Sequence, residues 1–82
     1  MPRFYFDVRE DGTVIPDDEG LELEGLDVAE HEAAVSAAEI GRSQLPHGKV
    51  SEITVEVKDE DGFVLITATV SLAVRRTIRA LV

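Results

Sequence analysis

Residues Ser51–Val74 read SEITVEVKDEDGFVLITATVSLAV, and the reading of this stretch decides the fold. Ile53, Val55 and Val57 alternate with Thr54, Glu56 and Lys58, which is the period of a strand with one buried face. Asp59-Glu60-Asp61-Gly62 then supplies hairpin-turn chemistry. From Phe63 to Val74 the alternation resumes, with Val64, Ile66, Ala68, Val70, Leu72 and Val74 in one row and Leu65, Thr67, Thr69, Ser71 and Ala73 in the other. Twelve extended residues would span ~40 Å, about twice a usual strand. The returning strand must therefore bend, break or project beyond its own domain.

Working back towards the N-terminus, Arg3 to Arg9 alternates in the same way, with Phe4, Phe6 and Val8 opposed to Arg3, Tyr5, Asp7 and Arg9. Glu10-Asp11-Gly12-Thr13 is a turn, Thr13-Val14-Ile15 a short return strand, and Pro16 ends that strand or confines it to a sheet edge because it offers no ladder N–H. A first hairpin over 3–16 follows. Residues 17–26 form an acidic connector in which Leu21 and Leu23 alternate with Glu22 and Glu24, a pattern open to an extended, weakly paired segment. The spacing of Asp27 and Glu30 predicts a capped helix over 27–45, stopped by Pro46-His47-Gly48. Ala29, Ala33, Ala34, Ala37, Ile40, Gly41 and Leu45 fall in one arc, and such small side chains let a helix lie close to a sheet. Val28 and Val35 lie outside it, beside Glu32, Glu39 and Arg42. A hairpin over 51–74 and a basic tail over 75–82 complete a single domain. The expectation is an α+β fold of order ββαββ, in which one helix packs on one face of a four-stranded antiparallel sheet. Antiparallel sheets tolerate a second face in water.

The 82 residues suffice for one domain with a small aliphatic core. There is no cysteine, which excludes disulfides, thiolate metal sites and cysteine nucleophiles. Seventeen acidic and eight basic side chains give a net charge of −9, which opposes binding to nucleic acid or to an anionic membrane. Phe4-Tyr5-Phe6 meets Asp7 too early for the apolar run of a signal peptide, and no stretch approaches the ~20 apolar residues of a membrane span. The cytoplasm is the default location.

Motifs that would carry chemistry are absent. Aligned on Gly62, a calcium loop places Val57 and Ala68 at its first and last ligand positions; aligned on Gly20 it places Ile15 and Leu26 there. His31-Glu32 opens like a zinc-peptidase helix, but Val35 stands where the second histidine belongs, and His47 has no neighbouring ligand. Gly41-Arg42-Ser43 lacks the second glycine of a serine-hydrolase elbow. The sequence therefore predicts no catalytic residue, no cofactor site, no metal site and no enzyme.

Charge is the more informative signal. Residues 10–32 hold ten acidic side chains and no lysine or arginine, whereas residues 62–82 hold Arg75, Arg76 and Arg79 and no acid. The basic tail can dock on the acidic segment of a second subunit, with Ile78 and Leu81 supplying burial and opposite charge steering the encounter. His31 sits beside the Val28/Val35 pair, where it would respond to pH. The expected interface residues are Val28, His31, Val35, Arg75, Arg76, Ile78, Arg79 and Leu81. The expected function is a non-enzymatic interaction module that forms a homodimer. The alternative is an acidic, antitoxin-like or mimic protein that binds a basic partner.

Four segments also carry a likeness: Met1-Pro2-Arg3-Phe4-Tyr5-Phe6, Asp17-Asp18-Glu19-Gly20-Leu21-Glu22-Leu23, Glu30-His31-Glu32-Ala33-Ala34 and Val55-Glu56-Val57-Lys58-Asp59-Glu60-Asp61-Gly62. Together they resemble a family of short bacterial proteins classed as a domain of unknown function, over residues 1 to about 74. That likeness implies a small bacterial domain and no known activity or cofactor. In layout, residues 3–45 are also similar to the HicB type of antitoxin, which pairs a hairpin with a helix.

Overall fold

The computed structural model describes residues 1–79 and is an α+β fold with one helix and an antiparallel sheet. Its elements are β1 (Arg3–Glu10), β2 (Thr13–Ile15), β3 (Leu21–Glu22), α1 (Leu26–Gln44), a 3-10 turn (Leu45–His47), β4 (Glu52–Lys58) and β5 (Val64–Ser71). The sheet order is β2-β1-β4-β5, with β3 pairing on β1 beyond the end of β2. The period-two patterning has the consequence that physics demands. Ile53, Val55 and Val57 are fully buried, Phe4 is buried, and Phe6 and Val8 pack partly buried against the same cluster.

Small side chains bring the helix down onto β4 and β5. Ala29, Ala33, Ala37 and Gly41, four residues apart, form the buried stripe of α1. Gly41 is where contact is closest: a Cβ there would lie 2.7 Å from Val70 Cγ1. Ala34, expected in this stripe, is exposed and Ile40 is half-buried, because the stripe follows the i, i+4 row.

Several boundaries differ from the sequence reading. The connector 17–26 contains a fifth strand, since Leu21 and Glu22 return to pair with Phe4 and Arg3. The helix begins at Leu26, not at 27, after Gly25 in extended conformation with no side-chain cap. Asp27 lies inside the first turn, so the capping box with Glu30 does not form, although an acid there still complements the helix dipole. The helix ends at Gln44, and Leu45 enters the 3-10 turn that Gly48 closes at φ +75°.

The second hairpin is shorter than 51–74. β5 stops at Ser71 because its partner β4 begins opposite it, at Glu52. An irregularity in the register sets Val57 opposite Ile66 but Lys58 opposite Val64, leaving Leu65 unpaired in a bulge. Val64 thereby joins the row of Lys58 instead of the helix-facing row expected for it, and is exposed. Residues 72–79 have no regular structure and are exposed throughout. They stretch the molecule to 65 × 23 × 18 Å and its radius of gyration to 16.0 Å, against about 12 Å for a compact chain of this length.

Candidate functional site

The face of the sheet away from the helix carries Tyr5, Asp7 and Arg9 from β1 opposite Lys58, Glu56 and Thr54 from β4. Direct pairing sets Asp7 against Glu56, two like charges, and each finds its cation elsewhere. Asp7 Oδ2 meets Lys58 Nζ at 2.8 Å, and Glu56 Oε1 meets Arg9 Nε at 2.9 Å. Among the described residues Asp7 is the one buried charged side chain. The reason is the connector, which folds across it: the Asp17 N–H donates to Asp7 Oδ1 at 3.0 Å.

Asp17 is the hinge of that crossing. Its Oδ2 accepts the Phe6 N–H at 3.0 Å, at the edge position between β2 and β3, where no strand carbonyl is available. Its Oδ1 accepts the N–H groups of Glu19 and Gly20, both at 3.1 Å. Arg3 adds Nη1 to the Glu19 carbonyl at 2.7 Å and Nη2 to Glu22 at 3.1 Å. Gly20 sits at φ +72°, and a Cβ there would approach the Phe4 carbonyl oxygen to 2.9 Å, so glycine alone fits this crossing.

Burial pushes the Asp7 carboxyl up, but the Lys58 ammonium and the Asp17 N–H outweigh it and hold the group below its ordinary value. Burial likewise opposes the Asp17 carboxylate, and the N–H groups of Gly20, Phe6 and Glu19, with Arg3 nearby, bring it down. Both are thus kept ionised with their acceptor sites engaged, whereas a catalytic acid or base needs a pKa drawn towards the working pH. The cluster fastens the connector to β1. Sequence reasoning passed over both residues; the signal for Asp7 was a carboxylate opposite Glu56 with a lysine one strand position away.

Of the interface residues expected from sequence, Val28, His31 and Val35 are exposed on α1. Arg75, Arg76, Ile78 and Arg79 are exposed on the extended tail, and Leu81 lies outside the described residues. The two groups are not brought together. Leu72, where the tail leaves the body, borders Gly41 and Leu45 at the C-terminal end of the helix. Val28 lies thirteen residues earlier on α1, about 20 Å along its axis.

A second feature is apolar. The outer edge of β5 has no partner among the described residues. Phe63, Val64, Leu65, Leu72, Val74 and Ile78, on this strand and its flanks, are all exposed. Beside it is a shallow hollow of about 240 Å³, bounded by Ala38, Gly41, Leu45 and Pro46 on the helix side and Val70 and Leu72 on the strand side. Among the described residues no group of three or more His, Asp or Glu is placed to hold a metal ion, and no helix is long and apolar enough to cross a membrane.

This sheet, helix and clamp make up the matched part of a known family model. Residues 3–71 match the domain of unknown function DUF6894, and the chain belongs to that family. The match ends at the last residue of β5, where the extended tail begins. No curated protein and no solved structure matches the chain.

Proposed function

We propose that the protein is a small, non-enzymatic interaction module that associates with itself as a homodimer. The observation behind this reading is the exit of residues 72–79 from the fold as exposed chain, carrying Leu72, Val74 and Ile78 among Arg75, Arg76 and Arg79. Large apolar side chains on a projecting segment are stabilised when a partner removes them from water. Light scattering on the intact chain tests it. A homodimer has about 18 kDa, twice the 9.0 kDa of the chain. Apolar association keeps that mass at low salt and at about 0.5 M salt, and removal of residues 75–82 lowers it. A 9.0 kDa species at every concentration refutes the reading.

A second reading rests on the acidic segment. Asp11, Asp18, Glu19, Glu24, Asp27 and Glu30 are exposed, and none of them forms an ion pair among the described residues. Such a surface suits a basic protein partner. It predicts retention of a cationic protein at low salt and its release at about 0.5 M salt. Retention that ignores salt counts against it.

A further inference from the structure

Among the described residues, strand β5 is an edge with little of the protection that edges ordinarily carry, the bulge at Leu65 near its start being the exception. Natural edge strands are short, charged, interrupted by proline or covered, because a bare row of N–H and C=O groups recruits another strand. From Phe63 to Val74 this chain has no charged residue and no proline, and β5 extends over eight residues at the end of the sheet. We propose that this edge pairs antiparallel with the tail of a second copy, each tail adding a strand along the other's β5. The proposal rests on the self-association above and specifies where it occurs.

Three features select a second copy as the occupant. First, the tail cannot fold back onto its own β5. Residues 63–82 contain no glycine, proline, asparagine or aspartate, and the one turn-forming residue, Ser71, is held in the β5 ladder opposite Glu52. Second, the pattern is self-complementary. The helix-side row of Ile66, Ala68 and Val70 continues in sequence through Leu72 and Val74, is broken once at Arg76 and resumes at Ile78. A two-fold axis at Leu72 sets Val70 opposite Val74 of the second copy and Ile66 opposite its Ile78, with Ala68 opposite its Arg76 between them, so two of the three pairs on the face that the helix covers are apolar. That register also carries Val74 of the second copy to the hollow beside Val70 and Leu72, which lies under Gly41 and Leu45.

Third, the charges agree. The whole chain carries −9 and its last eight residues carry +3, so residues 1–74 carry −12. A tail laid across another copy exchanges repulsion between two acidic bodies for attraction, and this steers the two together. In the product each body, of order β2-β1-β4-β5, gains the other copy's tail as its outer strand, with both helices on the same face.

Two variants test the seam, and both alter residues outside the ladders of the folded body. The chain has no cysteine, so Leu72→Cys introduces a lone thiol pair at the proposed axis. Mild oxidation should convert this variant almost wholly to a covalent dimer, while Val28→Cys on the helix stays uncrosslinked. Val74→Asp places a carboxylate against the apolar row of the second copy, and should weaken the dimer by about tenfold or more with an unchanged circular dichroism spectrum. Val28→Asp should leave the dimer as it is. A dimer that survives Val74→Asp, or a Leu72→Cys dimer that fails to crosslink, overturns the edge pairing and leaves self-association standing through another surface. A wild-type chain that is monomeric throughout overturns both.

Discussion

Replacing Asp7 with asparagine isolates the charge in the clamp on β1. The amide keeps the Oδ1 acceptor used by the Asp17 N–H at 3.0 Å and removes the charge that meets Lys58 Nζ at 2.8 Å. Hydrogen bonds to charged groups contribute about 1.5–3 kcal/mol, and exposed ion pairs about 0–1 kcal/mol. The Asp7 side chain is 10% exposed and that of Lys58 29%. The pair falls between those limits, and a loss of about 1.5–2 kcal/mol is expected for Asp7→Asn. In a domain of this size that lowers Tm by roughly 6–16 °C at neutral pH. The pH dependence has a definite sign. The folded state holds Asp7 below its ordinary value, so the stabilisation is complete above the unfolded value of about 3.9 and fades as the pH falls through the folded one. The wild type should therefore lose its advantage over the variant progressively as acid protonates the Asp7 carboxylate. Urea unfolding followed by circular dichroism, at one fixed protein concentration and at pH 7, 4 and 2, measures the gap. Equal midpoints at pH 7, or a gap that does not shrink from pH 7 through 4 to 2, would refute the assignment of Lys58 as the partner that matters.

Three further substitutions probe the packing. Gly20→Ala must adopt φ +72° with its Cβ 2.9 Å from the Phe4 carbonyl oxygen, and a loss of about 1–3 kcal/mol is expected in chemical denaturation. Ile53→Ala empties a fully buried position in the central strand β4 and should cost about 2–5 kcal/mol by the same assay. For Gly41→Ala two effects compete: alanine favours the helix by about 1 kcal/mol, whereas overpacking costs about 1–3 kcal/mol. The 2.7 Å approach to Val70 Cγ1 decides for a net loss. Combining Gly41→Ala with Val70→Ala should then show favourable coupling in a double-mutant cycle; simple additivity would mean that the helix shifts freely and that the close contact is not a constraint.

What could be read from the sequence was what neighbours along the chain determine. The alternation of β1 and β4 identified their buried rows, and Gly12, Gly48 and Gly62 lie in the breaks between elements. What could not be read was whatever depends on a partner distant in sequence. The alternation around Leu21-Leu23 allowed an extended, weakly paired segment, but its partner β1, and the hydrogen bond by which Asp17 reaches the Phe6 N–H across eleven residues, lie outside anything local to it. The alternation of residues 63–74 described the side chains correctly as a pattern, but strand length is set by the ladder, and β4 has no residue to offer beyond Glu52. Val64 changed rows because the hairpin absorbed Leu65 as a bulge, an adjustment that period-two patterning cannot register. The Asp27 and Glu30 spacing misled for a similar reason: a capping box requires its first residue before the helix, and Leu26 had already entered it. Of the expected interface, exposure of the Val28, His31 and Val35 group and of the tail was legible, but their separation along α1 was not.

The helix-facing side of the sheet links stability to assembly. An alanine and glycine stripe lets α1 approach β4 and β5 closely, but each such side chain buries little apolar area. The large side chains of the core come from the strands, and they are fully buried only on the central strand β4. Towards β5 burial falls away, with Ile66, Ala68 and Val70 only partly covered, and beyond Val70 the hollow under Gly41 and Leu45 is open. One more strand on that edge is the smallest addition that would cover this row, and the chain carries a segment of matching pattern immediately after it. Under the proposed edge pairing the same apolar row serves both folding and association, so Tm should rise with protein concentration. Val74→Asp should abolish that rise while leaving the melting of the dilute protein unchanged. Any dimer of the folded state shows such a rise, so a rise that persists undiminished in Val74→Asp would place the interface on another surface and would exclude this edge.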